Sequence, residues 1–174
     1  MFSIGIIGNG FVGRASFQLV CDSLEIRVYD INQSLCIPLG TTLKDICQCN
    51  IIFISVPTPM KPDGSCHTKI VEDVVNDICK YIDLDKKHVV IRSTVPIGTC
   101  NRLNCYFFPE FLTEKNYMKD FRETNPWIFG LKGNDIQDNN FKSLITKILN
   151  TAKENNKIVA FSVSDVFCIE RFKE

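Results

Sequence analysis

The first thirty residues carry the pattern that most limits how this chain can fold. A short apolar run at 2–7 leads into a turn at 8–13 that has glycine at its first, third and sixth positions. Apolar residues at helical spacing follow over 14–22, and a second strand-like run at 25–29 ends at Asp30. Strand, glycine turn, helix, strand and acid, in this order, predict a βαβ unit whose helix begins at the turn.

Each glycine of the turn has a separate task in a dinucleotide-binding unit. Gly8 would make the tight turn, Gly10 would let the backbone approach a pyrophosphate, and Gly13 would let the helix pack closely on the strand. The amides of Phe11 and Val12 then face the phosphates at the positive end of the helix dipole. The turn therefore predicts a Rossmann-type fold with phosphates bound at a helix N-terminus.

Asp30 bears on which dinucleotide is bound. Its carboxylate can accept hydrogen bonds from both ribose hydroxyls of the adenosine half, and its charge would repel a 2′-phosphate. The sequence therefore favours NAD over NADP. The alternative is that Asp30 only begins a turn.

The alternation of strands and helices continues along the rest of the chain. Strands are predicted at 51–56, 89–92, 106–108 and 127–130, with a further strand at 158–161 that would close the sheet. Helices are predicted at 70–82 and around one apolar face formed by Phe141, Leu144, Ile145, Ile148 and Leu149. We expect an α/β fold with a doubly wound parallel sheet of about six strands in a single domain, 1–165.

Two long connections, 57–68 and 109–126, interrupt this pattern. Connections of this length in a compact domain are usually functional or disordered. Both follow the carboxyl ends of predicted strands, which is where open parallel sheets bind their ligands. We therefore expect functional residues in them.

The nine cysteines do not form a metal-binding pattern, because no C-x-x-C pair occurs among them. We expect no metal site, and reduced thiols that serve as small hydrophobic side chains. Cys100 is the exception: a helix is expected to begin shortly after Pro96 and Gly98, and a helix N-terminus lowers the pKa of a thiol.

Charge and hydropathy exclude several classes of partner. The chain has 20 basic and 20 acidic residues and no long run of Lys and Arg, so we expect no nucleic-acid partner. Its apolar runs fall far short of the roughly 18 residues that a membrane span needs, which argues against a membrane partner. The first basic residue is Arg14, so no secretory signal is predicted and a cytoplasmic location is expected.

Four motifs in a fixed order resemble the UDP-glucose/GDP-mannose dehydrogenase family. They are the glycine turn at 8–13, I-I-F-I-S-V-P-T-P at 51–59 with D-G-S at 63–65, S-T-V-P-I-G-T at 93–99, and P-E-F-L at 109–112. The resemblance covers only the N-terminal NAD-binding domain of proteins that are usually more than twice as long.

The resemblance implies a reaction and a set of site residues. The family oxidises the C6 alcohol of a nucleotide sugar to a carboxylate by two hydride transfers to NAD, through a cysteine-bound thiohemiacetal and thioester that water then hydrolyses. Thr94 matches the threonine that positions the water, Glu110 a glutamate implicated in thioester hydrolysis, and Glu114 one near the nicotinamide and the sugar. The segment that passes beside the cofactor is matched by Val56, Pro57 and Thr58.

The sequence also departs from the family pattern. Phe108 stands where the family commonly has Asn, Lys115 where it has Gly, and Leu35 where a basic residue is often found. None of the cysteines lies in the glycine-rich motif of the family's nucleophile, which belongs to its second domain. The last residues, 166–174, resemble the start of the family's central helix.

Two functions follow from these observations, and the sequence leaves both open. In the first, the chain is the cofactor half of a nucleotide-sugar 6-dehydrogenase, inactive alone or completed by a separate polypeptide that supplies the nucleophile. In the second, it is a stand-alone NAD-binding or interaction module that has lost catalysis.

Overall fold

The computed structural model describes residues 1–124 and 126–159 and the backbone of Val166–Glu170. The described strands form one seven-stranded sheet in the order β2-β1-β3-β4-β5-β6-β7. The strands are β1 (Phe2–Ile7), β2 (Leu24–Tyr29), β3 (Ile51–Ile54), β4 (His88–Ile91), β5 (Tyr106–Phe107), β6 (Trp127–Leu131) and β7 (Val166–Glu170). The helices are α1 (Phe11–Phe17), α2 (Leu43–Gln48), α3 (Lys69–Ile78), α4 (Thr99–Arg102), α5 (Tyr117–Arg122) and α6 (Asp135–Glu154).

The order of the strands creates a switch point beside β1. The chain leaves β1 for β2 on one side and returns to place β3 on the other side, with both neighbours parallel to β1. The last residues of β1 and β3, Ile7 and Ile54, are register partners, so the two strands end at the same edge. In doubly wound sheets the ligand crevice lies outside the carboxyl ends of the strands at this point. The predicted α/β, Rossmann-type architecture is confirmed.

Two apolar clusters, one on each face of the sheet, form the core. Ile51 and Phe53 of β3 belong to the cluster covered by α1, α5 and α6, whereas Ile52 and Ile54 belong to the cluster covered by α2 and α3. All four side chains are buried, as is typical of a parallel strand with helices on both sides. Each such buried side chain contributes about 1.5–3 kcal/mol to folding, which explains why this run of isoleucine and phenylalanine forms a central strand.

The sheet departs from the prediction of an all-parallel arrangement at β6. This strand pairs antiparallel with β5, through the register pair Phe107 and Gly130, before it pairs in parallel with β7. Sequence periodicity indicates which side chains of a strand face the core, but not the direction in which the strand runs. The antiparallel direction of β6 could therefore not be predicted from the sequence. The sheet has seven strands where about six were predicted.

The end of the chain also differs from the prediction. Ile158 and Val159 lie outside any strand: Ile158 is buried in the core, and the amide of Val159 donates a hydrogen bond to the carbonyl of Arg122, which lies in a helix. Residues 160 and 161 lie outside the described residues. The closing strand is Val166–Glu170, which pairs with β6 over five residues, so these positions are not the start of a helix. Residues 171–174 lie outside the described part of the chain.

Candidate functional site

Two glycines of the turn at 8–13, hereafter the phosphate turn, are held by close backbone contacts. Gly8 has a φ of +96°, and its amide donates a 2.8 Å hydrogen bond to the carbonyl of Tyr29. A Cβ on Gly8 would lie 2.5 Å from the carbonyl oxygen of Ser55, and a Cβ on Gly13 would lie 2.0 Å from the carbonyl oxygen of Gly8. These distances leave no room for side chains, so the turn packs tightly between the end of β3 and α1.

Gly10 is different, because its surroundings are open. It is exposed, and a Cβ built on it would meet no atom within 4 Å. It is also the N-cap of α1 and offers no side chain to the amides of Phe11 and Val12, which belong to the first turn of the helix. The result is an open cradle of backbone donors that fits a pyrophosphate and that a side chain at Gly10 would fill.

Asp30 follows β2 and faces the phosphate turn. Its Oδ2 accepts a 2.8 Å hydrogen bond from the amide of Asn9, and its Oδ1 accepts one of the same length from the amide of Asn32. The thiol of Cys36 lies 3.4 Å from both the amide nitrogen and the carbonyl oxygen of Asp30. The carboxylate is therefore fixed in orientation, and each oxygen retains a second lone pair for a ribose hydroxyl.

Three buried polar atoms without a hydrogen-bond partner among the described residues lie on residues just beyond the carboxyl ends of neighbouring strands. They are Asn9 Oδ1 after β1, Ser55 Oγ after β3 and Arg92 Nε after β4. A buried polar atom left unpaired is costly, so such atoms commonly pair with a ligand or an ordered water. The positions of Asn9 Oδ1 and Ser55 Oγ agree with a polar ligand at the switch point, whereas the Arg92 guanidinium lies on the core side of α1.

The loops that follow β3 and β4 are tied together. Ser93 Oγ donates a 2.7 Å hydrogen bond to the carbonyl of Val56, and the thiol of Cys66 donates one of 3.6 Å to the carbonyl of Thr94. The exposed side chain of Thr94 therefore lies on a loop that is bonded to the start of the 56–58 segment. The structure thus links Thr94 to the segment of Val56, Pro57 and Thr58.

Glu110 and Glu114 occupy the segment 109–114, hereafter the acidic segment. Glu110 lies three residues beyond Phe107, just as Thr94 lies three residues beyond its register partner Ile91, so adjacent strands carry both to one edge. Glu110 is half-buried, and its Oε2 accepts a 3.0 Å hydrogen bond from the amide of Leu112. Glu114 is exposed on the same segment.

Arg92, to which the sequence assigned no role, is the most unusual side chain near the site. It is 1% exposed, and burial lowers the pKa of its guanidinium to about 9. Its Nη1 donates to Ser16 Oγ and, at 3.5 Å, to the carbonyl of Val12 in α1. Within the described residues no carboxylate lies within ion-pair distance of it. The sequence feature that could have singled out Arg92 is its position, since it is a charged residue directly after a buried apolar strand.

The replacement of the family's Asn by Phe108 has a structural basis. The Phe108 ring lies 4.3 Å below the Arg92 guanidinium and 4.6 Å from the ring of Phe129. It also stacks against Trp127 at 5.6 Å. Phe108 is therefore a core residue that contacts a cation through its ring, which an Asn could not do.

Several of the cysteines have thiols whose pKa is raised by burial. Burial raises the pKa of Cys100 and of Cys105 to about 12, and that of Cys47 to about 11. The expectation that the N-terminus of α4 lowers the pKa of Cys100 is therefore wrong, because desolvation outweighs the dipole of a helix of only four residues. The eight cysteines whose side chains are described are all free thiols.

Comparisons with known proteins agree with the fold and the site. The chain matches the UDP-glucose/GDP-mannose dehydrogenase family, NAD binding domain, over residues 37–152. It is 32% identical over 176 residues to the UDP-glucose 6-dehydrogenase of Rickettsia typhi, a match that covers 78% of this chain and 40% of that protein. The chain thus spans less than half the length of this relative.

Solved structures of dehydrogenases share the fold. The GDP-mannose dehydrogenase of Pseudomonas aeruginosa, solved as a ternary complex, superposes with a TM-score of 0.73 at 21% identity over 95% of this chain and 45% of its own. The UDP-glucose dehydrogenase of Pyrobaculum islandicum gives 0.69 at 20% identity over 98% and 46%. In the described part of the chain, no helix is both long and apolar enough to cross a membrane. This chain belongs to the UDP-glucose/GDP-mannose dehydrogenase family as its NAD-binding domain, with NAD as the cofactor.

Proposed function

We propose that this chain is the cofactor half of an enzyme that oxidises the C6 alcohol of a nucleotide sugar, a UDP-glucose 6-dehydrogenase-like reaction. The observation that carries the proposal is the open cradle at Gly10, where backbone amides of α1 have no capping side chain. The family match and the resemblance of the later motifs support the substrate class. The NAD-binding domain in this proposal runs from residue 1 through the end of β7 at Glu170.

The residues of the cofactor site have separate roles. The amides of Phe11 and Val12 bind the pyrophosphate, and Asp30 accepts the ribose hydroxyls of the adenosine half. When bound, NAD supplies a hydride acceptor. The segment of Val56, Pro57 and Thr58 lies along the nicotinamide half, on the loop that Ser93 ties to β4.

Two polar side chains would support the hydrolytic step. Thr94 is exposed at the edge of the sheet, where its hydroxyl can orient a water molecule. Glu110 is oriented by the amide of Leu112 and can accept a proton from that water. Glu114, exposed on the same segment, would contact the sugar side of the cleft.

The nucleophile of the reaction is the part that the described residues do not provide. At neutral pH, Cys47, Cys100 and Cys105 are almost entirely protonated because burial raises the pKa of each thiol. Cys66 contacts the carbonyl of Thr94 but is not placed in a glycine-rich motif of the family type. In the proposal a separate polypeptide segment therefore supplies the thiolate. A cytoplasmic location completes it, since a chain rich in free thiols suits a reducing compartment.

The experiment has two measurements on the 174-residue chain. Titration calorimetry with NAD tests the cofactor site, and the absence of binding would overturn the proposal. NADH formation with UDP-glucose, GDP-mannose and UDP-N-acetylmannosamine tests the missing nucleophile, with a full-length dehydrogenase as positive control. We expect binding without sustained turnover. Turnover by the chain alone that is lost in Cys66→Ser or Cys100→Ser would show that the nucleophile lies within it.

A further inference from the structure

Arg92 combines burial with the lack of a partner anion. Its guanidinium is enclosed by α1, by the ring of Phe108 at 4.3 Å and by the ring of Phe121 at 5.4 Å. The hydroxyl of Ser16 and the carbonyl of Val12 accept from Nη1, and Nε has no hydrogen-bond partner in the part of the chain that the structure describes. Among the described residues, the carboxylate that acts on it electrostatically is that of Glu110, which lies beyond ion-pair distance.

A buried charge of this kind is costly to the folded chain. Removing a guanidinium from water carries a large desolvation penalty, and neutral acceptors and aromatic rings offset only part of it. Even a buried ion pair can often be replaced by apolar side chains of similar volume without loss of stability, and Arg92 lacks a paired anion among the described residues. An arginine at this position therefore needs a reason outside the stability of the empty domain.

The position of the guanidinium supplies that reason. Arg92 bonds to the carbonyl of Val12, and Val12 belongs to the first turn of α1, whose amides form the phosphate cradle. The cation thus lies behind the phosphate turn, on the core side, while the cradle opens to solvent at Gly10. Charges separated by protein rather than by water interact over a longer range and are screened less by salt.

We infer that Arg92 is a positioning residue whose buried charge is offset by the pyrophosphate of the bound cofactor, through α1 and without direct contact. The inference rests on the proposed cofactor site. Arg92 should therefore lower the stability of the empty domain or leave it unchanged, and it should strengthen binding of the cofactor. A residue needed only for packing would stabilise the empty domain.

The variants separate the charge from the packing. Arg92→Met removes the charge and keeps a long apolar side chain, Arg92→Lys keeps the charge, and Arg92→Gln keeps a polar side chain without charge. Arg14→Met is the matched control, because Arg14 is a cation on the same helix but is exposed to solvent. The unfolding midpoint of each empty chain is measured by thermal melting. The affinity for NAD is measured by calorimetry, and that for adenosine, which has the ribose but no phosphate, by ligand-observed NMR.

We expect Arg92→Met to leave the unfolding midpoint of the empty chain unchanged or raised, to weaken NAD binding about tenfold, and to leave adenosine binding unchanged. Arg92→Lys should recover most of the NAD affinity, and Arg14→Met should change it less than about twofold. Equal losses for NAD and adenosine, or unchanged NAD affinity, would overturn the inference. If Arg92→Met does not fold, the same ligand comparison between Arg92→Lys and Arg92→Gln decides it. If the wild-type chain does not bind NAD, both the proposed function and this inference are overturned. If wild type binds NAD and Arg92→Met binds it equally well, this inference alone is overturned.

Discussion

The phosphate turn and the acidic segment lie at the same edge of the sheet but are held in different ways. A Cβ on Gly8 would meet the backbone of Ser55, just after β3, and a Cβ on Gly13 would meet the backbone of the turn itself, so neither position has room for a side chain. In the acidic segment, Glu110 accepts from the amide of Leu112, and Thr113 donates to Asp120 of α5. The turn is thus shaped by contacts across the sheet, whereas the acidic segment is shaped by contacts close in the chain. The proposed cofactor site is therefore built on the more tightly packed of the two regions.

The largest expected effect comes from breaking the turn. Gly13→Ala would place a Cβ 2.0 Å from the carbonyl oxygen of Gly8, so the backbone of the turn or of α1 must move. We expect the free energy of unfolding to fall by about 3 kcal/mol, which lowers the thermal midpoint by roughly 6–12 °C for a chain of this size. Gly10→Ala is the control, since its Cβ meets no atom within 4 Å. A Gly13→Ala midpoint equal to that of the control would show that the turn is not rigid.

The features that the sequence predicts well are those set by local requirements of the chain, and the features it misses depend on distant partners. The strands around the phosphate turn were predicted closely, because β-branched runs such as 51–54 and the glycine spacing at 8–13 reflect local requirements of burial and close approach. The antiparallel direction of β6 and the pairing of β7 were not, because both depend on partners distant in the chain. Arg92 was missed for the same reason, since its burial depends on rings from two other segments.

The second effect concerns the cradle rather than the fold. Gly10→Val would extend into the open space at the N-terminus of α1, where its Cβ meets no atom within 4 Å, so the empty chain should melt within about 4 °C of wild type. Wild type should gain about 2.7 kcal/mol of stability from NAD at 100 times its Kd, and the variant should gain almost none. Thermal melting with and without NAD measures both quantities. A full gain in the variant would place the ligand elsewhere.

The third effect concerns the choice of cofactor. Wild type should bind NAD at least about tenfold more tightly than NADP, a difference of about 1.4 kcal/mol, because the charge of Asp30 opposes the additional phosphate. Asp30→Asn should reduce that ratio. It should also destabilise the chain by about 1 kcal/mol, because one of the two amides that donate to Asp30 would face an NH₂ group.

Calorimetry with both cofactors measures the ratio. Asp22→Asn is the control, since it removes the same charge from an exposed position. Equal affinity of wild type for NAD and NADP, or tighter binding of NADP, would contradict the role assigned to Asp30.

The smallest effect tests how firmly the loops on the substrate side are held. Glu72 Oε1 accepts from Arg102 Nη2 at 2.8 Å and from Thr68 Oγ1 at 2.7 Å, so it joins the end of the 57–68 loop to α4. These hydrogen bonds, that from Arg102 first, lower the pKa of Glu72 below its usual value of 4.5. An acid with a lowered pKa stabilises the fold above the pKa of the unfolded chain, and this contribution is lost as the pH falls through the folded value. Glu72→Gln should therefore cost no more than about 0.5 kcal/mol at about pH 7, because the partner Arg102 is largely exposed, and less at an acid pH below the folded pKa of Glu72.

Chemical denaturation at both pH values measures the difference between Glu72→Gln and wild type. Asp73→Asn is the matched control, because Asp73 forms an ion pair within the same helix, with Lys69, that joins no loops. If the pair between Glu72 and Arg102 holds the loops together, its loss should also shorten the lifetime of the amide protons around Thr94 in hydrogen exchange, and Asp73→Asn should not. Equal exchange in the two variants would mean that the hydrogen bond between Ser93 and Val56 is enough to hold these loops. The loops that follow β3 and β4 would then be held as rigidly as the phosphate turn. Only the acidic segment would differ from the turn in rigidity.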